Sequence, residues 1–273
     1  MKWLKARTGR VWGVYGAVAG MEPKVYLAYP TWVTVDFAVQ IISITVFVYF
    51  WRAVYAGGGT IAGLNLGQTL NYILVAQMLM PLVTNRLIFF FGQTLREGSL
   101  ATELTRPVDF QGSVFAGQLS RLAIELIMKI PLIVLAVVLF GLRLPTDPAV
   151  YLVFFVSLVL GFTVLFFFDW TFSCLAFYTT ETWGLSVVRE GVALFFSGAM
   201  VPLAIMPVWL QAIAGFLPFA QALYVPASLL SGITPLSAAP QALLVQLAWL
   251  AGLLLVSRLA FATALRVVTV QGG

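Results

Sequence analysis

Charge is scarce in this chain, histidine is absent, and cysteine occurs once. Of 273 residues, 15 are Lys or Arg and 10 are Asp or Glu, so charged side chains make up 9% of the sequence. Soluble domains carry roughly 25%. The shortage is also uneven: no charged residue falls between Arg52 and Arg86, nor between Glu190 and Arg258. A bilayer is crossed by about 20 consecutive apolar residues. With 61% hydrophobic residues overall, the chain reads as an all-α, polytopic integral membrane protein. Without histidine it lacks the usual general base and the commonest metal ligand. Cys174 alone can form neither an intrachain disulfide nor a thiolate metal cluster. A Ser-His-Asp or Cys-His centre is therefore excluded, and no resident metal is expected. None of the four lysines (Lys2, Lys5, Lys24, Lys129) closes a G-x-x-x-x-G-K-[ST] phosphate loop. The net charge of +5 fits cytoplasmic loops facing anionic lipid, not nucleic acid.

Residues 1–29 read as a basic, aromatic-bearing amphipathic segment lying on the cytoplasmic leaflet, with Trp3, Trp12 and Tyr15 at headgroup depth. Residues 30–273 read as one six-span transmembrane domain. The first span runs from about Thr31 to Trp51 and the second from Leu70 to Phe90, broken at Pro81. The polar stretch from Gly92 to Gln111 follows. The third span covers about Leu122 to Phe140 and the fourth begins near Ala149. A fifth begins around Val187 and a sixth covers Leu243 to Ala262. Lys and Arg concentrate in the N-terminal segment, around Gly92–Gln111 and at the C-terminal end, leaving only Arg52 and Arg143 on the other side. The positive-inside rule then places both termini and the polar loop in the cytoplasm.

Between Gly191 and Leu243 there is too much apolar sequence for one span and a turn, yet prolines at 202, 207, 218, 226, 235 and 240 divide it. A fifth span followed by a re-entrant helical hairpin fits this spacing, provided the hairpin packs against protein or lines a cavity. A seventh full span is the alternative. Pro202, Pro207, Trp209, Pro218, Phe219 and Pro226 mark the re-entrant region.

Several short patterns occur in a fixed order. Trp51-Arg52-Ala53-Val54-Tyr55 ends the first span, followed by Ile61-Ala62-Gly63-Leu64-Asn65 and Leu70-Asn71-Tyr72. The polar loop contains Arg96-Glu97-Gly98-Ser99-Leu100-Ala101-Thr102-Glu103-Leu104-Thr105-Arg106-Pro107. Later come Phe196-Ser197-Gly198-Ala199-Met200-Val201-Pro202-Leu203, Met206-Pro207-Val208-Trp209-Leu210, Leu217-Pro218-Phe219, Tyr224-Val225-Pro226 and Ser231-Gly232. Over residues 30–265 this order resembles the type-2 ABC-transporter permeases, six-span exporter subunits. It is most similar to the branch whose cytoplasmic loop reads G-x-L-x-x-x-L-x-R-P. The resemblance implies a cell-membrane permease subunit, bacterial in type, that is no enzyme and carries no cofactor. Two ABC ATPase subunits would supply ATP and Mg, and a second permease, identical or homologous, would complete the path. It also implies that Arg96, Glu97, Gly98, Leu100, Glu103, Leu104, Arg106 and Pro107 form the ATPase-coupling loop, with Leu95, Leu100 and Leu104 offering an apolar edge. A solvated connector is the plainer reading of the same residues.

Four of the charges in or beside the apolar spans are candidates for a pathway or gate. Arg121, Glu125 and Lys129 recur every four residues and can pair along one helix face. Intramembrane charges also mark pathways, so structural pairing and a cargo or gating role both stay open. Asp169 is placed at the cytoplasmic end of the fourth span and reads, like Asp36, as an anchor. Two other function classes compete with an exporter. An ion- or proton-coupled carrier predicts inverted repeats with paired broken helices, and only the last third of this chain is heavily broken. A lipid-modifying membrane enzyme would need carboxylates converging at one interface.

Overall fold

A computed structural model describes residues 30–84, 87–179 and 181–267, and before Pro30 only positions 15–17, 20–21, 24–25 and 28. Most of the expected interfacial segment 1–29, together with Arg86 and the tail beyond Val267, lies outside the described residues. The described residues are helical, with no strand among them beyond an isolated bridge between Ile61 and Leu64. In order, the helices are α1 (Pro30–Val54), α2 (Leu66–Leu79), α3 (Leu87–Arg96), α4 (Ser99–Thr105), α5 (Phe110–Met128), α6 (Ile130–Phe140) and α7 (Pro148–Ser173). They continue with α8 (Thr182–Phe196), α9 (Val208–Gly215), α10 (Pro218–Ala222), α11 (Tyr224–Ser231) and α12 (Ala239–Ala264).

Polar residues set the ends that hydropathy alone misplaces. Asn65 closes a capping box with Gln68 and starts α2 before the expected Leu70. Asp109 accepts from the Gly112 N–H and starts α5 at Phe110, well before the expected Leu122. Asp147 caps α7, with Pro148 in its first turn. Pro81 sits in a single 3₁₀ turn, Met80–Leu82, that separates α2 from α3. Pro131 follows the α5–α6 junction at Lys129.

Five helical segments among the described residues are long and apolar enough to cross a membrane: Pro30–Val54, Leu66–Arg96, Phe110–Phe140, Pro148–Phe177 and Leu236–Val267. The expected crossing from Val187 is not among them. Helix α8 ends at Phe196 after 15 residues, about 22 Å at 1.5 Å per residue, short of a hydrocarbon core of roughly 30 Å. The chain from Ser197 to Ala238 then proceeds in helices of at most 8 residues.

The spans are not equivalent. Within the apolar 18-residue stretch of each span, 69% of the residues are buried in Leu66–Arg96 and 50% in Pro148–Phe177, against 11% in Pro30–Val54 and 17% in Leu236–Val267. The first two therefore form the centre. Helix α7 packs against α12, α11, α10 and α3, while α2 packs against α1 and α11.

Breaks in a membrane helix free backbone carbonyls that only protein can satisfy, and polar side chains from neighbouring helices do so here. Tyr72 donates to the Gly198 carbonyl at 2.8 Å, Gln77 to Ala199 at 3.2 Å and Asn71 to Ser231 at 3.2 Å. Gln211 donates to Met206 at 2.7 Å. Gln246 reaches the carbonyls of Gln221 at 2.7 Å and Ser157 at 3.1 Å, tying α10, α7 and α12 together. At Gly161 the backbone of α7 comes so close that an added Cβ would lie 2.6 Å from the Gln221 carbonyl oxygen.

Candidate functional site: a polar elbow above a buried ion pair

The expected coupling loop is two helices joined by a sharp bend. Gly98, at φ +67°, turns α3 into α4, a left-handed conformation that glycine adopts without penalty. The inner side of this elbow is anchored. Leu87, Phe91 and Leu100 are buried in one cluster with Phe110, Phe166, Trp170 and Cys174, and the Phe91 and Trp170 rings meet edge to face at 4.8 Å. Gly92 faces the first residue of α8: a Cβ there would lie 2.9 Å from the Thr182 side chain. The outer side carries Arg96, Glu97, Glu103, Leu104, Arg106 and Pro107, of which only Glu103 is half-buried.

This corrects the expected apolar edge. Leu100 is turned inward and holds the elbow to its base, Leu95 is half-buried, and Leu104 is the exposed leucine of the three. The charges are held by short-range surface pairs, Glu103 to Arg106 at 2.8 Å and Glu97 to Gln93 at 2.8 Å. An exposed ion pair such as Glu103–Arg106 contributes about 0–1 kcal/mol and is easily exchanged for a partner's. Asp109, beyond the elbow, is clasped by Arg258 of α12 through two hydrogen bonds, the Nη2–Oδ2 one at 2.8 Å. The Arg258 guanidinium holds its carboxyl below the usual carboxylate range, helped by the Gly112 N–H.

Asp169 is not a lone carboxylate at a helix end. It is almost fully buried and takes a forked pair of hydrogen bonds from Arg189 of α8, Nε to Oδ1 and Nη2 to Oδ2, both at 2.7 Å. Arg189 also donates through Nη1 to the Val83 carbonyl, freed just past the Pro81 break, and lies 5.8 Å from the centre of the Phe219 ring. One guanidinium thus joins α7, α8, the α2–α3 break and α10. Nothing in the sequence patterns above singles out Arg189. The available signal was its place two turns inside a helix, after Val187-Val188.

The expected stripe is half present. Arg121 pairs with Glu125 at 3.0 Å, but Lys129 crosses to α1 and meets Asp36 at 3.7 Å. Lys129 therefore links the α5–α6 junction to α1, Arg121 and Glu125 pair along α5, and Asp169 works across α7 and α8, so the four form no single cluster. The expected re-entrant residues separate as well. Pro207 precedes α9, Pro218 is the first residue of α10, Pro226 lies in the first turn of α11, and Pro202 precedes a 3₁₀ turn. Phe219 is buried, whereas Trp209 is exposed.

A family model described as ABC-2 family transporter protein matches residues 41–272, nearly the whole chain. The chain belongs to the ABC-2 transporter family. No curated protein matches it. As an ABC-2 permease it is a multi-pass membrane component of a transporter and not itself the catalytic subunit, and permeases of this family work with ATPase partners.

Proposed function

We propose that this ABC-2 permease forms the translocation path of an ATP-driven exporter in a bacterial cell membrane. Two separate ATPase subunits, which bind ATP and Mg, dock on the outer face of the α3–α4 elbow. A second permease, identical or homologous, completes the path. The Lys/Arg distribution supports a cytoplasmic elbow and cytoplasmic termini. A sixth crossing is then made by α8 together with the broken segment after it, whose short helices re-enter from the outer face within the domain of residues 30–273.

The observation that carries this reading is the build of the elbow. Its inner face is fixed in an aromatic cluster at the end of the most buried span, and its outer face presents Leu104 among weakly held charges. A solvated connector has no need of a buried base. The ion- or proton-coupled alternative finds no support at Asp169, because that carboxylate is already committed to Arg189.

The test is copurification of the ATPase with Leu104→Asp and Glu103→Arg variants. An uncompensated charge buried in a contact costs several kcal/mol, so affinity for the ATPase is expected to fall more than about a hundredfold at 1.4 kcal/mol per decade. Membrane abundance should hold, since neither residue is in the core. Full partner binding by both variants would return the elbow to a connector.

A further inference from the structure

Three consecutive residues of α7 touch three different parts of the molecule. Successive side chains on a helix point about 100° apart, so a run of three covers most of its circumference. Phe168 meets the Phe219 ring of α10 edge to face at 4.9 Å. Asp169 holds Arg189 of α8. Trp170 is fully buried among Phe91 at 4.8 Å, Phe261 at 5.2 Å and Phe110 at 5.5 Å, the rings that seat the elbow. Arg189 closes the circuit by lying over Phe219.

We propose that Phe168-Asp169-Trp170 is the junction that passes elbow movement to the broken segment containing α9, α10 and α11. The proposal rests on the ATP-driven reading above and assigns the three residues a positioning role in transport. The physical argument turns on which contacts can slip. Aromatic side chains packed at crystal-like density transmit a displacement instead of absorbing it, so Trp170 follows Phe91. A doubly hydrogen-bonded ion pair in a dry interior is not separated without leaving a bare charge behind, so Asp169 and Arg189 tie α7 to α8. Helix α8 is also held to the elbow directly where Gly92 meets Thr182. Elbow, α7 and α8 therefore move as one body. That body meets α10 at the close backbone approach of Gly161, through the Gln246 bridge and at the Phe168–Phe219 contact; the last is a ring contact without a hydrogen bond, and it is the joint that can slip.

The experiment uses the complete complex in lipid vesicles, with spin labels on Val208→Cys and Thr146→Cys and Cys174 replaced by Ser. Distances are measured with and without ATP. Phe168→Leu and Phe219→Leu are made singly and together. In the parent, ATP shifts the balance between two distance populations. Each single variant should reduce that shift at least about threefold, and the double should be no worse than the worse single, as expected for residues acting through one contact. ATPase copurification and basal hydrolysis should stay at parental levels, which a loss of fold would not allow. Trp170→Phe should behave as the parent and Trp170→Ala should not, which tests the junction from its other side. Variants that keep the full ATP-dependent shift, or singles whose effects multiply, overturn the junction alone. A parent that copurifies no ATPase overturns the exporter reading and this inference with it.

Discussion

Removing either member of the Asp169–Arg189 pair should damage the protein far more than removing both. Asp169→Leu strips the guanidinium of its two 2.7 Å hydrogen bonds and leaves it beside the Val83 carbonyl and the Phe219 ring. Breaking a buried pair by deleting one partner costs about 3–5 kcal/mol, which is a change of roughly a hundredfold to several thousandfold in the folding equilibrium. Arg189→Met should be worse, because it strands the carboxylate and the Val83 carbonyl together; an unsatisfied buried acceptor adds about 1–3 kcal/mol. In the double variant the charges are gone and apolar groups of similar volume fill the space. Such replacements are neutral or stabilising by about 1–4 kcal/mol, which offsets the orphaned Val83 carbonyl and returns stability close to the parent. The assay is heat challenge in detergent, scored by the fraction surviving as a monodisperse species. The expected order is parent and double together, then Asp169→Leu, then Arg189→Met. If the double loses as much as the two singles combined, the charges do not act as a pair and the account of this site is wrong.

Gly161→Ala places a methyl group against backbone atoms of Gln221 and Ala222 that cannot swing aside, and should cost about 1–3 kcal/mol in the same assay. Gly252→Ala, with nothing within 4 Å, should be neutral or slightly stabilising. Asp109 has a folded-state pKa below its unfolded value, so its contribution is present above the ordinary carboxylate pKa and disappears as pH falls through the folded value. Asp109→Asn keeps an N-cap but loses the charge; the stability gap to the parent should be constant down to about pH 4 and close below it, and a gap independent of pH would show that the charge is not what matters. Single cysteines at Ser99 and Thr146, with Cys174 replaced, should react with an impermeant maleimide from the cytoplasmic and outer faces respectively; the reverse pattern would invert the proposed topology.

The sequence by itself determined that this is a helical membrane protein, where most of its spans lie, where prolines interrupt them, and which stretch leaves the apolar phase. Those properties depend on each residue and its near neighbours along the chain: transfer free energy, the missing proline N–H, and polar caps such as Asn65, Asp109 and Asp147. The tertiary structure decided which faces meet. Helix α7 is apolar all round, so periodicity gives no sign that Asp169 faces Arg189, 20 residues away, or that Gly161 faces α10. It also decided that Leu100 turns inward while Leu104 does not, and that Lys129 leaves its own helix for Asp36. Tyr72, Gln77, Asn71 and Gln246 stand out in the sequence as polar residues in apolar surroundings, but each one's carbonyl partner lies far away in the chain. Hydrophobicity places a segment in the bilayer, and only the three-dimensional approach of chain breaks and polar side chains settles how the broken backbone is satisfied.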